Sequence, residues 1–572
     1  MLDKEKANKN KLFSSRLFVL HVLFSIYVVT LGIYLFSVQI FDIRHCKIKA
    51  INQRKADSFV LRGNIYDRNG IKLATDTVYY DIFARRDDFQ HTADELAKML
   101  SPILKVPQTT LSQKLKQDVP LVSLKKNVDR HTRDAIAKLK LREIPIDKKS
   151  IRTYPQGALA AHVLGYYNFD ANVASGVEYT AKDKLESSHK GASFEKTPTG
   201  KIIYNISTDP IATTKPIKGE DITLTIDAAV QHICEKSLMK TIKEYNAFRG
   251  AVIVMNPKNG EILAYAVYPY FDPNNFKSAT PFQTKNWTLT DVFPPGSTFK
   301  TITIASAMEL EKINKNTKIN DTGKIKIGWW NIENYDYKKN PKPGLIDMVY
   351  LFEHSSNVGS VLVAQMMSKF EFYDMLRKFG FGEKTGIDLP GESIGILKAA
   401  NRWDSSDHAS MGYGYGSSVT AIQMVSAVSA IANGGVRVTP HVIKYSPEEE
   451  AIKVRRTQVM TPEHARAVTD LLTTSVNRSK SVIKSDVYNI AAKTGTSKKP
   501  KENGAGYTNK LYTSIVGYLP ASDPQVLIYV IVDSAQGGEI WGNTVAAPIF
   551  KEIYTQVAHI LNLQPDKWNT KK

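Results

Sequence analysis

The 572 residues carry 76 Lys and Arg against 56 Asp and Glu, a formal net charge of +20. That charge suits nucleic acid, an anionic membrane surface or an acidic polymer, but no zinc-finger spacing, phosphate-binding loop or basic helix with stacking aromatics supports nucleic acid. Cys46 and Cys234 are the only cysteines, which excludes a disulfide framework and a C-x-x-C metal site; each reads as a buried or incidental thiol.

Residues 1–16 form a polar tail with Lys4, Lys6, Lys9, Lys11 and Arg16. Residues 17–38 then run for 22 positions without a charge, about 33 Å of helix and enough to cross a bilayer. The run is too long for a signal-peptide core and no small-x-small cleavage site follows, so it predicts an uncleaved anchor. Arg44, Lys47, Lys49, Arg54 and Lys55 balance the tail, so the charges alone leave the orientation open. Ser25 and Gly32 are seven residues apart and share a helix face that a partner helix could approach closely.

Leu61 to Gly70 reads as a strand and a tight turn, with Asn69-Gly70 the hairpin signal. Residues 92–143 have helical spacing and predict small helices. A further helix begins at Gly176 and ends near Gly191. Arg62, Asp67, Arg68, Arg152, His162 and Glu178 could do chemistry, but no nucleophile accompanies them. A buried, salt-bridged hinge is the better reading.

Residues 221–226 predict a strand and 227–246 an amphipathic helix. A hairpin follows, 251–256 and 261–267 around Asn259-Gly260. The last strands, 511–518 and 525–533, precede a closing amphipathic helix over about 545–561. Strands, a long helical middle and strands again predict an α+β fold with one antiparallel sheet flanked by helices.

Three motifs carry the chemistry. Pro294-Pro-Gly-Ser297-Thr-Phe-Lys300 interrupts one element and opens a helix. It places Ser297 at a helix N-terminus, where partial positive charge favours an alkoxide, and Lys300 one turn on as a proton acceptor. Ser-x-x-Lys alone decides nothing, since it recurs at Ser123, Ser187, Ser193, Ser237 and Ser481. Ser355-Ser356-Asn357 lies 58 residues after Ser297; a second Ser-x-Asn, at Ser475, reads as a surface helix end. Lys-Thr-Gly occurs at Lys384, where it opens a turn, and at Lys493, where Ile490-Ala-Ala precede it and Thr496 follows. A hairpin loop over 498–509 is expected there, and an edge strand at Lys493 would accept a peptide by β-addition.

Ser-x-x-Lys, Ser-x-Asn and Lys-Thr-Gly in this order are the motif set of penicillin-binding proteins and β-lactamases. With the anchor, Arg62-Gly-Asn-Ile-Tyr-Asp-Arg68-Asn-Gly70, Gly386-Ile-Asp-Leu-Pro-Gly-Glu392 and Gly412-Tyr-Gly-Tyr-Gly416, the chain resembles a class B penicillin-binding protein. Asn286-Trp-Thr-Leu-Thr-Asp291 and Ser418-Val-Thr-Ala-Ile-Gln423 look more like the division (FtsI-like) branch than the elongation branch. The resemblance implies a tail (1–16), an anchor (17–38), a pedestal of the dimerisation type (42–215), a transpeptidase domain (220–565) and a final tail (566–572). It also implies an inner-membrane protein with its N-terminus in the cytoplasm and its catalytic domain outside.

On that resemblance the activity is peptidoglycan D,D-transpeptidation in septal wall synthesis. Ser297 is the nucleophile and Lys300 the base. Ser355 relays a proton, Asn357 holds the substrate amide and the lysine, and Lys493 supplies positive potential. Thr494, Gly495 and Thr496 bind substrate. Neither metal nor cofactor is required. Stem peptides are the substrates, β-lactams the inhibitors, and a SEDS-type glycosyltransferase and other division proteins the partners. An elongation-type transpeptidase, a β-lactamase and a catalytically weak division scaffold are the alternatives.

Overall fold

The computed structural model describes residues 2–36, 55–56, 60–169, 171–186, 194–196, 202–203, 217–328, 330–501 and 506–567. Cys46, Ser187, Lys190, Gly191, Ser193 and the last residues of the expected anchor (37–38), of the pedestal range (204–215) and of the tail (568–572) lie outside them. The chain forms two compact units.

The first unit comprises Met1–Leu61, Val78–Lys149 and His189–Ile217. Its helix Leu2–Phe36 is unbroken, so the polar tail continues the same helix as the apolar run. Val19–Phe36 has a mean hydropathy of 2.2 and is wholly exposed, long and apolar enough to cross a membrane. Helices Ala93–Leu104, Gln108–Leu115 and Arg130–Lys138 occupy the expected helical region. Thr92 starts the first with a reciprocal cap against Glu95. The strand Leu121–Val128 in the same region is a departure from the helical reading, and Ser123 sits on it. Val122, Leu124 and Val128 point inward to Leu96, Leu100 and Leu111, while Lys125 and Lys126 break the alternation.

The second unit comprises Arg62–Thr77, Ser150–Ser188 and Lys218–Lys572. Near its start, Ile65 pairs with Ala74 across the Asn69-Gly70 turn and with Ile222 in parallel. The expected strand over 221–226 shrinks to Ile222–Thr223, because Leu224 turns to bridge Ile443. Arg62 and Arg152 both reach Glu178, at 3.1 and 2.6 Å, and Arg152 also pairs with Asp76 at 3.0 Å. All four are buried. His162 is buried against the Gln283 carbonyl, and burial pushes its pKa down to about 4. Asp67 accepts the amides of Asn69, Ile71 and Ala228. These groups hold the chain together, as the sequence suggested, and none is placed for chemistry.

The rest of the unit is built on five strands: β1 (Arg249–Met255), β2 (Ile262–Tyr268), β3 (Ala491–Pro500), β4 (Tyr507–Leu519) and β5 (Val526–Asp533). Their order is β2-β1-β5-β4-β3, antiparallel throughout, so β3 is an edge. β3 and β4 reach further than expected: Lys498 pairs with Leu511 and Pro500 with Tyr507, which shortens the anticipated loop.

Both faces of this sheet are buried, and strict alternation sorts its residues between them. Val252, Val254, Ile528 and Val530 meet Val230, Cys234 and Leu238 of helix α1 (Ala228–Glu244). Ile253, Met255, Tyr529 and Ile531 face the helical middle: α2 (Lys300–Glu309), α3 (Asn357–Met366), α4 (Ala421–Ala432) and α5 (Pro462–Arg478). The closing helix α6 (Ala547–Ile560) adds Phe550 and Ile553 to the first face. Asp227 caps α1 by accepting the amides of Ala229 and Val230. Every residue of α4 is buried, which explains its largely apolar sequence without a membrane. The sheet thus holds β3, which carries Lys493-Thr-Gly495, at one margin, packed against the Gly296–Phe299 turn that leads into α2.

Candidate active site

Pro294, Pro295 and Gly296 stop the preceding chain. Gly296 has φ +58°, and a side chain there would meet Ser497 Cβ at 3.0 Å. Ser297 follows in a single 3-10 turn, Gly296–Phe299, and α2 begins only at Lys300. The serine therefore lies on a tighter turn in front of the α-helix rather than in its first turn. Phe299, fully buried, anchors that turn in the core; truncating such a ring costs about 3–5 kcal/mol.

Lys300 is also fully buried. Its Nζ donates to Ser355 O at 2.5 Å and to Asn357 Oδ1 at 2.8 Å, and lies 3.2 Å from Ser355 Oγ. Burial, reinforced by the nearby Lys493 charge and opposed by Asp321, holds its pKa well below the usual lysine range. A neutral amine, able to take a proton, is the form this environment favours. Ser355 sits at φ +51°, a conformation that costs a non-glycine residue about 1–2 kcal/mol and has to be held by its neighbours. Ser356 Oγ accepts the Gly359 amide at 2.8 Å and caps α3. Asn357, the first residue of α3, donates from Nδ2 to Glu333 O at 2.9 Å, which aims its Oδ1 at Lys300.

The second Lys-Thr-Gly lies on β3. Burial lowers the Lys493 pKa to about 8, and its Nζ donates to Thr494 O at 3.1 Å. A Cβ on Gly495 would fall 2.6 Å from Ser514 Oγ and 3.0 Å from Thr298 Cγ2, so only glycine lets the strand lie this close to the serine turn. Thr496 Oγ1 accepts the Gly542 amide at 3.0 Å. Ser497 Oγ donates to Pro294 O at 2.6 Å and ties β3 to the turn that bears Ser297. The structure thus brings Lys300, Ser355 and Asn357 into direct contact and sets Ser297 and the Lys493–Thr496 segment of β3 on touching elements.

Residues 250–555 match the penicillin binding protein transpeptidase domain, and residues 58–224 the penicillin-binding protein dimerisation domain. Stage V sporulation protein D of Bacillus subtilis is 31% identical over 88% of this chain and 79% of its own length. The chain is a class B penicillin-binding protein of the FtsI-like type. Other relatives of this penicillin-binding protein are the probable peptidoglycan D,D-transpeptidase PbpC of Pseudomonas aeruginosa, 30% identical over 89% of this chain and 88% of that protein, and the peptidoglycan D,D-transpeptidase FtsI of Escherichia coli, 28% identical over 89% and 85%. Penicillin binding protein 2X of Streptococcus thermophilus shares the fold, with a TM-score of 0.74 at 24% identity over 88% of this chain and 80% of that one.

Among the described residues, four other motif copies in this penicillin-binding protein are occupied with structure. Ser237 is buried and bonds Glu552, while Lys240 is exposed. Ser481 Oγ donates to Asn543. Thr385, in the first Lys-Thr-Gly, is buried and bonds Glu392 through both its amide and its hydroxyl. Ser475 is buried and bonds Leu472 O, so that Ser-x-Asn is not the surface end expected of it.

Several residues that shape the site carry no sequence signal. Ser497 is one. Gly414 belongs to the Gly412–Gly416 family landmark: its carbonyl accepts the Gly296 amide at 3.0 Å, and a Cβ on it would lie 2.2 Å from Gly296 O. Tyr415 was read only as part of a family landmark, yet its hydroxyl accepts the Lys498 amide at 3.1 Å, the next open donor on the edge of β3. Asp321 and Asn334 reach the Ser355–Asn357 turn from elsewhere in the chain.

Proposed function

We propose that this penicillin-binding protein is a membrane-anchored peptidoglycan D,D-transpeptidase of the division septum. Ser297 Oγ attacks the penultimate D-Ala carbonyl of a donor stem peptide. Lys300 takes the hydroxyl proton. The ester bond forms, the peptide bond to the terminal D-Ala breaks, and Ser355 relays a proton to the leaving amine. An amine of a second stem peptide then attacks the ester, forming the crosslink and returning Ser297 its proton. Asn357 holds the substrate amide and the Lys300 amine. Lys493 supplies positive potential, and Thr494 and Thr496 take the donor carboxylate, with Gly495 keeping the strand close. The amides of Ser297 and Thr496 form the oxyanion hole, worth roughly 3–4 kcal/mol per donor in other acyl-transfer enzymes.

The observation that carries this reading is the Lys300 amine, buried and held at 2.8 Å by Asn357 Oδ1 and 3.2 Å from Ser355 Oγ. β-Lactams acylate the same serine. The helix through residues 17–38 anchors the chain in the cytoplasmic membrane, with residues 1–16 inside, a pedestal over 42–215 and the transpeptidase domain over 220–565 outside, and a SEDS-type glycosyltransferase and other division proteins as partners. The test is crosslinking of newly polymerised strands by the purified full chain, read as crosslinked muropeptides by mass spectrometry. Product that disappears in Ser297→Ala supports the reading; product that survives it, or rapid turnover of penicillin by the intact chain, overturns it. Midcell recruitment of a fluorescent fusion tests the septal role, and sidewall labelling would contradict it.

A further inference from the structure

The Ser355–Asn357 turn is held from behind by a buried acid–amide pair. Asp321 ends the short strand Lys318–Asp321 and is fully buried. Its carboxylate accepts the Gly323 amide at 2.7 Å, the Asn334 amide group at 2.9 and 3.1 Å, and the Ser356 hydroxyl at 2.5 Å. Asn334, buried beside it, uses its single carbonyl oxygen to accept the backbone amides of Asn357 at 2.8 Å and Val358 at 3.0 Å. Ser356, between the two, also accepts the Gly359 amide. Every polar side-chain atom of the pair is spent on this one turn or on the pair itself, apart from the Gly323 contact.

The turn needs such a hold. Ser355 is in the left-handed region, φ +51°, and its carbonyl and hydroxyl both face Lys300 Nζ. Release of Asn357 N or Ser356 Oγ would let the turn relax and carry Ser355 and Asn357 off the lysine together. The pair also brings a full negative charge into a site that otherwise holds two lysines in a dry interior, where charges act strongly on one another.

We propose that Asp321 and Asn334 are positioning residues for acylation: they lock the Ser355–Asn357 turn against Lys300, and the Asp321 carboxylate is the counter-charge of that lysine. This rests on Lys300 acting as the base for Ser297. The charged groups acting on Lys300 are Lys493, which disfavours its protonated form, and Asp321, which favours it. Asp321 also acts on Tyr350, as does Asp336, itself 3.8 Å from His354.

The experiment measures the acylation rate of the full chain by a fluorescent penicillin against pH. Wild type should show an acid limb set by Lys300. Asp321→Asn should acylate at least about tenfold more slowly, as for a disrupted positioning group. Its acid limb should move to lower pH by about half a unit or more, because loss of an anion favours the neutral amine. The exchange D321N/N334D puts the carboxylate on the other partner, with the introduced amide group donating to it; both rate and limb should return toward wild type. A purely structural role would lower the melting temperature and the rate but leave the limb in place. If D321N does not fold, Ser356→Ala carries the test: it cuts the hydroxyl link together with the Gly359 cap of α3 but keeps the carboxylate, so the rate should fall by about tenfold while the limb stays. An unmoved limb in folded D321N, no recovery in the exchange, or a wild-type rate in S356A overturns the proposal. A wild-type chain that does not acylate at all removes the Lys300 reading, and this inference falls with it.

Discussion

Ser497 Oγ donates to the carbonyl of Pro294 at 2.6 Å, so the strand with Lys493 and Thr496 is fastened directly to the turn with Ser297. The bond is fully buried, and it joins residues 203 positions apart in the chain. Cutting it should loosen the site more than the fold. Ser497→Ala is expected to cost about 1 kcal/mol of stability and to slow penicillin acylation by roughly tenfold, the scale of a small misplacement of reacting groups. Thermal midpoints and second-order acylation rates check both; an unchanged rate would show that β3 holds its place without this bond.

Gly414 and Gly434 make a controlled pair. Both have positive φ, +86° and +60°. A Cβ at Gly414 would lie 2.2 Å from Gly296 O, whereas at Gly434 nothing lies within 4 Å. Gly434→Ala should show only the backbone cost, about 1–2 kcal/mol. Gly414→Ala should exceed it in denaturant unfolding and also slow acylation, because the Ser297 turn must shift. Equal stability losses would mean that the contact relaxes at no cost.

Glu178 balances two buried arginines, Arg62 and Arg152. Removing one partner of a buried pair costs about 3–5 kcal/mol, an upper bound here because Arg152 keeps Asp76 and Arg62 keeps the half-exposed Glu186. Glu178→Gln should therefore lower the melting temperature strongly, while the folded fraction acylates at the wild-type rate. A catalytic defect in well-folded protein would revive the reading of this cluster as chemistry.

Lys493 gives a pH signature. Burial lowers its pKa to about 8 from 10.5. The folded state then binds fewer protons than the unfolded one between those values, so this group destabilises the fold fully below pH 8 and is relieved as pH rises toward 10.5. Lys493→Met should be more stable than wild type at neutral pH, with the gap closing through that window, and should lose acylation. A gap that does not change with pH would mean that the lysine is not titrating there.

Sequence and structure agree where the signal is local. Pro294-Pro-Gly-Ser297 and Asn69-Gly70 act through their own backbone preferences, and the near-continuous apolar runs of β1 and β5 fit a sheet buried on both faces. The strand Leu121–Val128 was missed because Lys125, Lys126 and the left-handed Asn127 (φ +55°) interrupt its alternation. Asp321, Asn334 and Ser497 were missed for a different reason. Each acts through a partner distant in sequence, and an Asp or Ser in a loop looks the same whether it caps a turn or orders an active site. Lys300 is wholly buried, because the Ser355–Asn357 turn closes over its amine only in the folded chain.

The central claim is that acyl transfer runs through Ser297. Its most direct test is peptide mapping of the covalent adduct after the intact chain reacts with labelled penicillin. The account expects the label on the peptide containing Ser297, no label in Ser297→Ala, and at least about a hundredfold slower labelling in Lys300→Ala with little change in Lys240→Ala. Label on Ser237 or Ser481, or persistent labelling of Ser297→Ala, would contradict it.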